Sequence, residues 1–282
     1  MSEGDKEMNR LVKYILIATL GTIVVILGFM IVYNYVKKRN QEPDSKYVDN
    51  PPKVIADIAH GNPRKIDSKV YVCEGDEYVP YIVIKTDNYG EDTVLLMREE
   101  VYPKEMMFRD CNIFGAGGSY YSGSVIDEFM EKELYSMYSD EMKGLIKLAP
   151  VKIHTYEFCS KIIGPEYPVF EVVDRHVFAL AFSECRQHDL LEEYEIEGEY
   201  IPEIMDYPVE KHVWLRSDAY GGDDTWASQI FNGNLRSERV SNSNENYIRP
   251  VFTVSADCAI KVKDNIISGN EVYIFSEDEK GD

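Results

Sequence analysis

The sequence predicts an α+β fold: one N-terminal transmembrane helix, followed by a domain with a mixed β-sheet and one or two short helices. Three observations lead to this prediction. An uncharged run of 20 residues, 14–33, lies near the N-terminus. Short apolar runs separated by turn residues fill most of 67–276, as in strands. One stretch, Ser124–Tyr135, has apolar residues at helical spacing, and a second short helix is predicted at Asp140–Lys147. Strands that surround one helix pair are typical of α+β domains.

The run Tyr14–Tyr33 has neither charge nor proline. A helix of that length would span about 30 Å, the thickness of the hydrocarbon core of a bilayer. The run is longer than the apolar region of a signal peptide, and it continues into Lys37, Lys38 and Arg39 without a small-residue cleavage site. We therefore predict an uncleaved, single-pass anchor from Tyr14 to Val36 behind a cytoplasmic head, residues 1–13.

Charge is distributed unevenly along the chain, whose net charge is −20. The first 40 residues hold six basic and three acidic residues, which leaves 24 of the 30 basic and 47 of the 50 acidic residues for the rest. So acidic a domain excludes nucleic-acid binding through phosphate neutralisation. Basic residues flanking the span favour a cytoplasmic C-terminus slightly, but long domains often translocate regardless of such counts. We expect the C-terminal domain to lie outside the cell membrane.

Residues 37–66 contain four prolines and few apolar residues, so we interpret them as a stalk. The globular domain is predicted at 67–276, before an acidic tail at 277–282. Within the domain, Ser124 and Ser139 are placed to cap two helices. Predicted strands are 70–72, 78–85, 93–97, 151–156, 169–173, 177–182, 213–216, 247–254 and 272–275. The sequence Asp87-Asn88-Tyr89-Gly90 predicts a hairpin between the second and third of them.

Three segments in order carry a resemblance: Tyr120–Ile126 with Ser139–Met142, then Val177–Glu184, then Val213–Ser217 followed by Ile248–Phe252. They resemble an uncharacterised domain family of Gram-positive bacteria with a WLRS segment followed by an RPxF segment, over about 78–256. The last pair also looks like the C-terminal half of C-type-lectin-like folds of the formylglycine-generating-enzyme type. This likeness implies a C-type-lectin-like domain that presents a long loop, here Ser217–Asn246. The chain lacks the cysteine setting of formylglycine-generating chemistry, so no such activity is expected.

That predicted loop combines aromatic rings with asparagine, serine and glycine, the composition of adaptable recognition loops. The candidate ligand-binding residues are Tyr220, Asp223, Asp224, Trp226, Asn232 and Asn234. Ordinary turn chemistry explains the same composition. We expect no cofactor and no metal; the alternative is a Ca²⁺ ion held by the two aspartates with Asn232 or Asn234.

The motif residues are expected to be structural. They are Trp214, Arg216, Arg249, Pro250 and Phe252. The five histidines lack zinc-site spacing, and the five cysteines lack a C-x-x-C motif. If the domain lies outside the cell, the five cysteines could form two disulfides with one cysteine left over. The alternative interpretation is that they are buried free thiols.

Three functional hypotheses follow. The first is a membrane-anchored, cell-surface binding module for a glycan, a peptide or a partner protein, without catalysis. The second is an envelope hydrolase that uses Asp/Glu carboxylates. The third is a structural or assembly protein of the membrane.

Overall fold

The computed structural model describes the chain in nine ranges. They are 52–59, 69–86, 88–110, 117–162, 167–185, 210–219, 225–231, 234–267 and 270–276. By its internal contacts the chain divides into residues 1–50 and 51–282, and every described residue belongs to the second unit.

The described part of the chain is mostly β-sheet, so the prediction of an α+β fold was wrong. The strands are β1 (Lys69–Glu74), β2 (Glu77–Lys85), β3 (Thr93–Arg98), β4 (Ile146–Lys147), β5 (Ala149–His154), β6 (Phe170–Arg175), β7 (Val177–Phe178), β8 (His212–Asp218), β9 (Trp226–Phe231), β10 (Asn234–Arg239), β11 (Asn246–Tyr247), β12 (Val251–Ser255), β13 (Ile260–Ile267) and β14 (Asn270–Phe275). The helices are short: α1 (Val125–Glu128), a π-helix (Phe129–Leu134), α2 (Tyr135–Met137), α3 (Asp140–Leu145), α4 (Tyr156–Cys159), α5 (Phe182–Cys185) and a 3₁₀-helix (Ile55–Ile58).

The error arose in part because two strands, β9 and β10, carry little of the apolar alternation on which strand prediction depends. β10, for example, reads Asn-Leu-Arg-Ser-Glu-Arg, with one apolar residue in six. Pairing with β9 over its whole length keeps this polar segment extended.

The predicted membrane helix, Tyr14–Val36, lies outside the described residues, as do the predicted head and tail. Within the described ranges, no helix is both long enough and apolar enough to cross a bilayer. The structure therefore gives no support to the transmembrane helix in the predicted fold class.

The larger sheet has the order β13-β14-β1-β2-β3-β12-β4, and β7 also pairs with β12. The strands β1 and β14 are parallel, so the two ends of the domain meet in the middle of the sheet. The β2–β3 hairpin is confirmed, because Lys85 pairs with Val94 across the predicted turn. The strand β12 contains Phe252 and pairs with three others, which places the RPxF segment at the centre of the core.

A second sheet has the order β10-β9-β8-β11, and β5 and β6 form a separate two-stranded sheet. The strand β8 carries the WLRS segment and shifts register between Trp214 and Asp218. The β9–β10 hairpin occupies much of what the sequence suggested was a long loop, 217–246. Among the strands that the structure describes, β10 stands at the edge of its sheet.

The predicted helix caps are confirmed. The Ser124 hydroxyl accepts a hydrogen bond from the Asp127 amide (3.2 Å), and the Ser139 hydroxyl accepts one from the Met142 amide (3.1 Å). Between them, the helix widens into six residues of π-helix, Phe129–Leu134. Such π segments often accompany functional or otherwise constrained positions.

Part of the predicted stalk packs on the domain. Within 52–59, Val54 bridges to Ala259, and the Ile55 amide donates to the Cys258 carbonyl (2.8 Å). Ile55 and Ile58 are fully buried. Burying both side chains contributes roughly 3–6 kcal/mol to holding this segment on the sheet.

Candidate functional site

The motif tryptophan and phenylalanine belong to the core. The indole N–H of Trp214 donates to the Met106 carbonyl (2.8 Å), and its ring meets Phe108 edge-on at 5.6 Å. Phe252 is fully buried between Tyr81 and Tyr138. The Trp214 indole N–H thus has an acceptor, and both rings pack against other aromatic rings, as buried aromatic residues require.

The Arg249-Pro250 pair joins β12 to the end of β3. The Arg249 guanidinium donates to the carbonyls of Arg98 (2.9 Å) and Glu99 (2.7 Å), while the Pro250 carbonyl accepts from the Arg98 amide (3.1 Å). Arg249 is 6% exposed. Its role is therefore to satisfy buried backbone carbonyls.

Arg216 is the centre of a buried polar network. Its guanidinium forms two bonds to the Glu184 carboxylate (2.8 and 3.2 Å) and also donates to the Ala179 carbonyl (2.7 Å). The same Nη1 nitrogen that donates to the Ala179 carbonyl lies 3.2 Å from the Tyr89 hydroxyl and donates to it, and that hydroxyl in turn donates to Glu184. Glu184 also accepts from the Ala181 amide (2.7 Å), so it holds the start of α5. Each of these groups has a hydrogen-bond partner within the protein, so the network joins α5, β8 and the β2–β3 turn.

The π-helix carries Glu131, whose carboxylate contacts the turn between β6 and β7. Glu131 accepts hydrogen bonds from the amides of His176 (2.8 Å) and Val177 (3.2 Å) and pairs with the His176 ring (2.7 Å). That ring stacks on Tyr135 at 4.4 Å. One turn earlier, Asp127 binds the Arg175 guanidinium through both oxygens (2.7 and 2.9 Å). The contacts of Glu131 and Asp127 with the turn between β6 and β7 were not predicted from the sequence, because no sequence pattern marks a π-helix.

A third buried carboxylate ends β8. Asp218 accepts from the Lys161 ammonium (2.6 Å) and from the Ala219 amide (2.9 Å), and its own amide donates to His154 Nδ1 (3.3 Å). The side chain of Asp218 is 5% exposed and that of Lys161 29%. Both carboxylate oxygens are occupied, so this pair anchors the strand end.

Each buried acidic residue in the described part of the chain forms an ion pair. Asp127, Glu184 and Asp218 are the buried acidic residues there, and each pairs with a different cation. A glycosidase-type mechanism instead needs two carboxyl groups that face one substrate bond, one of them protonated. No such arrangement is formed by these three residues.

Only two of the six candidate ligand-binding residues are described. Trp226 begins β9 and Asn234 begins β10, so they stand at opposite ends of the hairpin, about 17 Å apart at 3.4 Å per residue. The other four, Tyr220, Asp223, Asp224 and Asn232, lie outside the described residues. The ligand-binding assignment, and the calcium alternative with it, stays a prediction.

Aromatic rings and cations alternate on the hairpin and on the strands beside it. The Arg239 guanidinium lies 5.9 Å from the centre of the Trp226 ring, and Arg236 lies 4.8 Å from that of Phe231. The His212 ring stacks on Phe231 at 4.5 Å. The rings of Trp226 and Phe231 are partly exposed, and Arg236 and Arg239 are exposed. The sequence does contain a signal for this hairpin, because Asn232-Gly233 separates the two strands and Asn-Gly is a strong hairpin signal.

The described cysteines, Cys73, Cys159, Cys185 and Cys258, are free thiols. Burial raises the pKa of the Cys159 and Cys185 thiols well above 9.0, so they stay protonated and unreactive at neutral pH. In the same part of the chain no group of three or more His, Cys, Asp or Glu side chains is placed to hold a metal ion.

Gly117 fits tightly beside α4, and its replacement by alanine should destabilise the domain by about 2 kcal/mol. Its φ is +61°, and a Cβ would lie 2.6 Å from Tyr156 Cε2 and 2.9 Å from Ser160 Oγ. Urea denaturation measures the loss. The matched control is Gly144→Ala in α3, where no atom lies within 4 Å; it should stabilise by about 0.5–1 kcal/mol. Equal effects of the two substitutions would contradict this account.

The fold and these contacts define a β-rich domain whose WLRS and RPxF residues build the core. Residues 91–256 match the family described as Domain of unknown function (DUF6273). The chain belongs to this family. No curated protein and no solved structure matches the chain.

The expected resemblance to an uncharacterised domain family is thus confirmed. A likeness to C-type-lectin-like or formylglycine-generating-enzyme folds is not shown. The predicted C-type-lectin-like fold class is wrong, as is the α+β assignment. The segment expected to be its long loop, 217–246, contains the paired strands β9 and β10.

Proposed function

We propose that this protein is a non-catalytic recognition module that binds its ligand through the β9–β10 hairpin. The observation that carries the proposal is the pair of partly exposed rings, Trp226 and Phe231, each with an exposed arginine beside it. Tryptophan and arginine are the residues that most often dominate binding energy at protein interfaces. An arginine beside the ring adds charged donors to a flat apolar contact surface.

The ligand class follows from the same groups. Guanidinium groups bind carboxylates and phosphates through paired hydrogen bonds, and an aromatic face accepts an apolar or a sugar surface. An anionic segment of a partner protein, an acidic peptide and an acidic glycan all present this combination. We favour a partner protein, because the two ring–arginine pairs stand at opposite ends and, by the register of β9 with β10, on opposite faces of the hairpin, so only a large ligand can contact both.

Buried charge supports binding over hydrolysis. The buried acids Asp127, Glu184 and Asp218 are each committed to a separate ion pair, so the hydrolase hypothesis gains no observation from the described residues. Membrane attachment through Tyr14–Val36 and an extracellular location remain predictions from the sequence. The binding proposal does not depend on them.

Binding is tested with the full chain against a glycan array, an acidic-peptide array and a membrane-protein extract. Trp226→Ala and Arg239→Ala should each weaken a detected interaction by about 30-fold, which corresponds to the loss of roughly 2 kcal/mol at an interface hot spot. Tyr156→Ala is the matched control, because Tyr156 is an exposed aromatic residue on α4 and is not part of the hairpin. Interactions that survive both hairpin substitutions, or that Tyr156→Ala weakens equally, would contradict the assignment.

A further inference from the structure

The outer edge of β10 carries backbone groups that face away from its own sheet. The Val240 amide donates to the Thr225 carbonyl on the β9 side (2.9 Å), and Asn234 pairs with Phe231 across the two-residue connection. Amides alternate in direction along a strand, so even-numbered residues of β10 bond to β9 and odd-numbered residues point outward. The Arg239 amide is consistent with this, because it bonds to the Glu238 side chain (2.7 Å) and not to β9. Leu235 and Ser237 therefore present N–H and C=O groups at the edge, and Arg239 presents its C=O group there.

The side chains of this edge strand are solvent-facing. Asn234, Arg236, Ser237 and Arg239 are exposed, and Glu238 is partly exposed. An exposed edge strand is a template for pairing with another strand. The charges on β10 therefore decide which strand can pair with it.

The charge order of β10 is self-complementary. When two copies pair antiparallel about a two-fold axis through Ser237, Arg236 of one copy lies opposite Glu238 of the other, and the relation holds on both sides of the axis. Opposite charges directly across an antiparallel pair stabilise it. In this register Ser237 faces its own copy, and Leu235 faces Arg239. These residues are the outward-pointing ones, so the hydrogen-bond directions match as well.

The edge strand of the larger sheet differs. β13 carries Lys261 and Lys263 two residues apart, and its register with β14 shifts between Lys263 and Ile267. Like charges and irregular pairing are devices that prevent edge-to-edge association. An antiparallel copy of β13 centred between the two lysines would bring like charges together.

We propose that β10 is a homodimerisation edge: two copies of this chain pair through it, antiparallel and centred on Ser237, so that the four-stranded sheet continues across the two-fold axis as an eight-stranded sheet. The interface is isologous, as in most homodimers. It places two β9–β10 hairpins side by side, which would present the ring–arginine pairs in duplicate.

Charge exchange tests the register. The full chain is kept in a mild detergent, because 14–36 is predicted to span a membrane, and its mass is measured by sedimentation equilibrium. The unaltered chain should dimerise. Arg236→Glu and Glu238→Arg each place like charges opposite one another twice, and each should raise the dimer dissociation constant about tenfold or more. The double variant, Arg236→Glu with Glu238→Arg, restores both opposite pairs and should restore dimerisation.

A second measurement does not depend on charge. Ser237→Cys places two thiols across the axis at a Cα separation of about 5.5 Å, within disulfide range, and should oxidise to a covalent dimer. Asn244→Cys, in an exposed turn, should not. Circular dichroism confirms that the variants are folded.

Three results would overturn the proposal: an unaltered chain that stays monomeric at every concentration, a double variant no better than either single one, or equal cross-linking at 237 and 244. The proposed ligand binding is judged separately, because Trp226→Ala leaves β10 and its charges unchanged.

Discussion

Replacing Arg216 by alanine is expected to destabilise the folded domain by about 3–5 kcal/mol, close to the entire stability of many single domains. Glu184 would remain buried without its cation, since its side chain is 2% exposed. The carbonyl of Ala179 and the hydroxyl of Tyr89 would also lose a donor. Each buried acceptor left without a partner costs about 1–3 kcal/mol.

The comparison that isolates this effect uses another arginine. Arg239 is exposed, and Arg239→Ala should change the free energy of unfolding by less than about 0.5 kcal/mol. Urea denaturation followed by circular dichroism measures both. If Arg216→Ala behaved like the surface substitution, the network would not bear on stability.

The double variant Glu184→Leu with Arg216→Met separates the ion pair from its desolvation cost. Removing both charges leaves no buried carboxylate without its cation, and such replacements often recover most of the loss. We expect the double variant to be more stable than Arg216→Ala by about 2 kcal/mol or more. A double variant that is less stable than Arg216→Ala would show that the whole network is needed for stability. The main reason would be the hydrogen bond that Glu184 accepts from the Ala181 amide at the start of α5.

Local signals in the sequence predicted local structure well. Ser124 and Ser139 were identified as caps because a serine hydroxyl can bond the amide three residues later, and both bonds are formed. The β2–β3 hairpin followed from Asp87-Asn88-Tyr89-Gly90 in the same way. In each case the interacting groups lie within a few residues, so the sequence itself contains the physical cause.

Segments governed by distant contacts were predicted less well. Apolar residues 177–182 suggested one strand, but β7 ends at Phe178 and α5 begins at Phe182. The strand stops where the carbonyls of Ala179 and Leu180 turn to donors on Arg216, more than 30 residues away. No window around residue 180 could contain that information.

The same contrast between local and distant contacts applies to the candidate site. A structural role for Trp214, Arg216, Arg249, Pro250 and Phe252 was expected from strand alternation and from the chemistry of arginine, and all five are buried. The partners of the two arginines could not, because Glu184, Arg98 and Glu99 lie far away in the sequence. The ring–arginine pairs were missed because they depend on the register of β9 with β10.

Alkaline pH should unfold the domain cooperatively shortly above pH 10, with four buried tyrosines as the main cause. Burial, the largest cause in each case, raises the pKa of Tyr81, Tyr89, Tyr121 and Tyr138 above the ordinary 10.0. Nearby carboxylates raise these pKa values further: Glu74 acts on Tyr81 and Tyr138, Glu184 on Tyr89 and Asp127 on Tyr121.

The direction of the effect follows from proton binding. A pKa that is higher in the folded state favours folding fully below the unfolded-state value, near 10, and this contribution is lost as the pH rises toward the folded-state value. Above pH 10 the unfolded chain releases protons that the folded chain keeps. Each tyrosine then lowers the free energy of unfolding by about 1.4 kcal/mol per pH unit, and four lower it by roughly 5 kcal/mol per unit. The buried thiols Cys159 and Cys185 begin the decline near pH 9 by the same logic.

Tyrosinate absorbance and far-UV circular dichroism, recorded together during an alkaline titration, measure this transition. The absorbance of the buried rings should rise in the same narrow interval in which the circular dichroism is lost. Tyr138→Phe removes one of the four protons while Tyr81 keeps its bond to Glu74 (2.6 Å), so the transition should become less steep and move to higher pH. Tyr156→Phe, at an exposed ring, is the matched control and should leave the midpoint in place. Circular dichroism that persists after every tyrosine has ionised would show that burial does not hold these protons, because phenolate charges at four core positions would then be compatible with the fold.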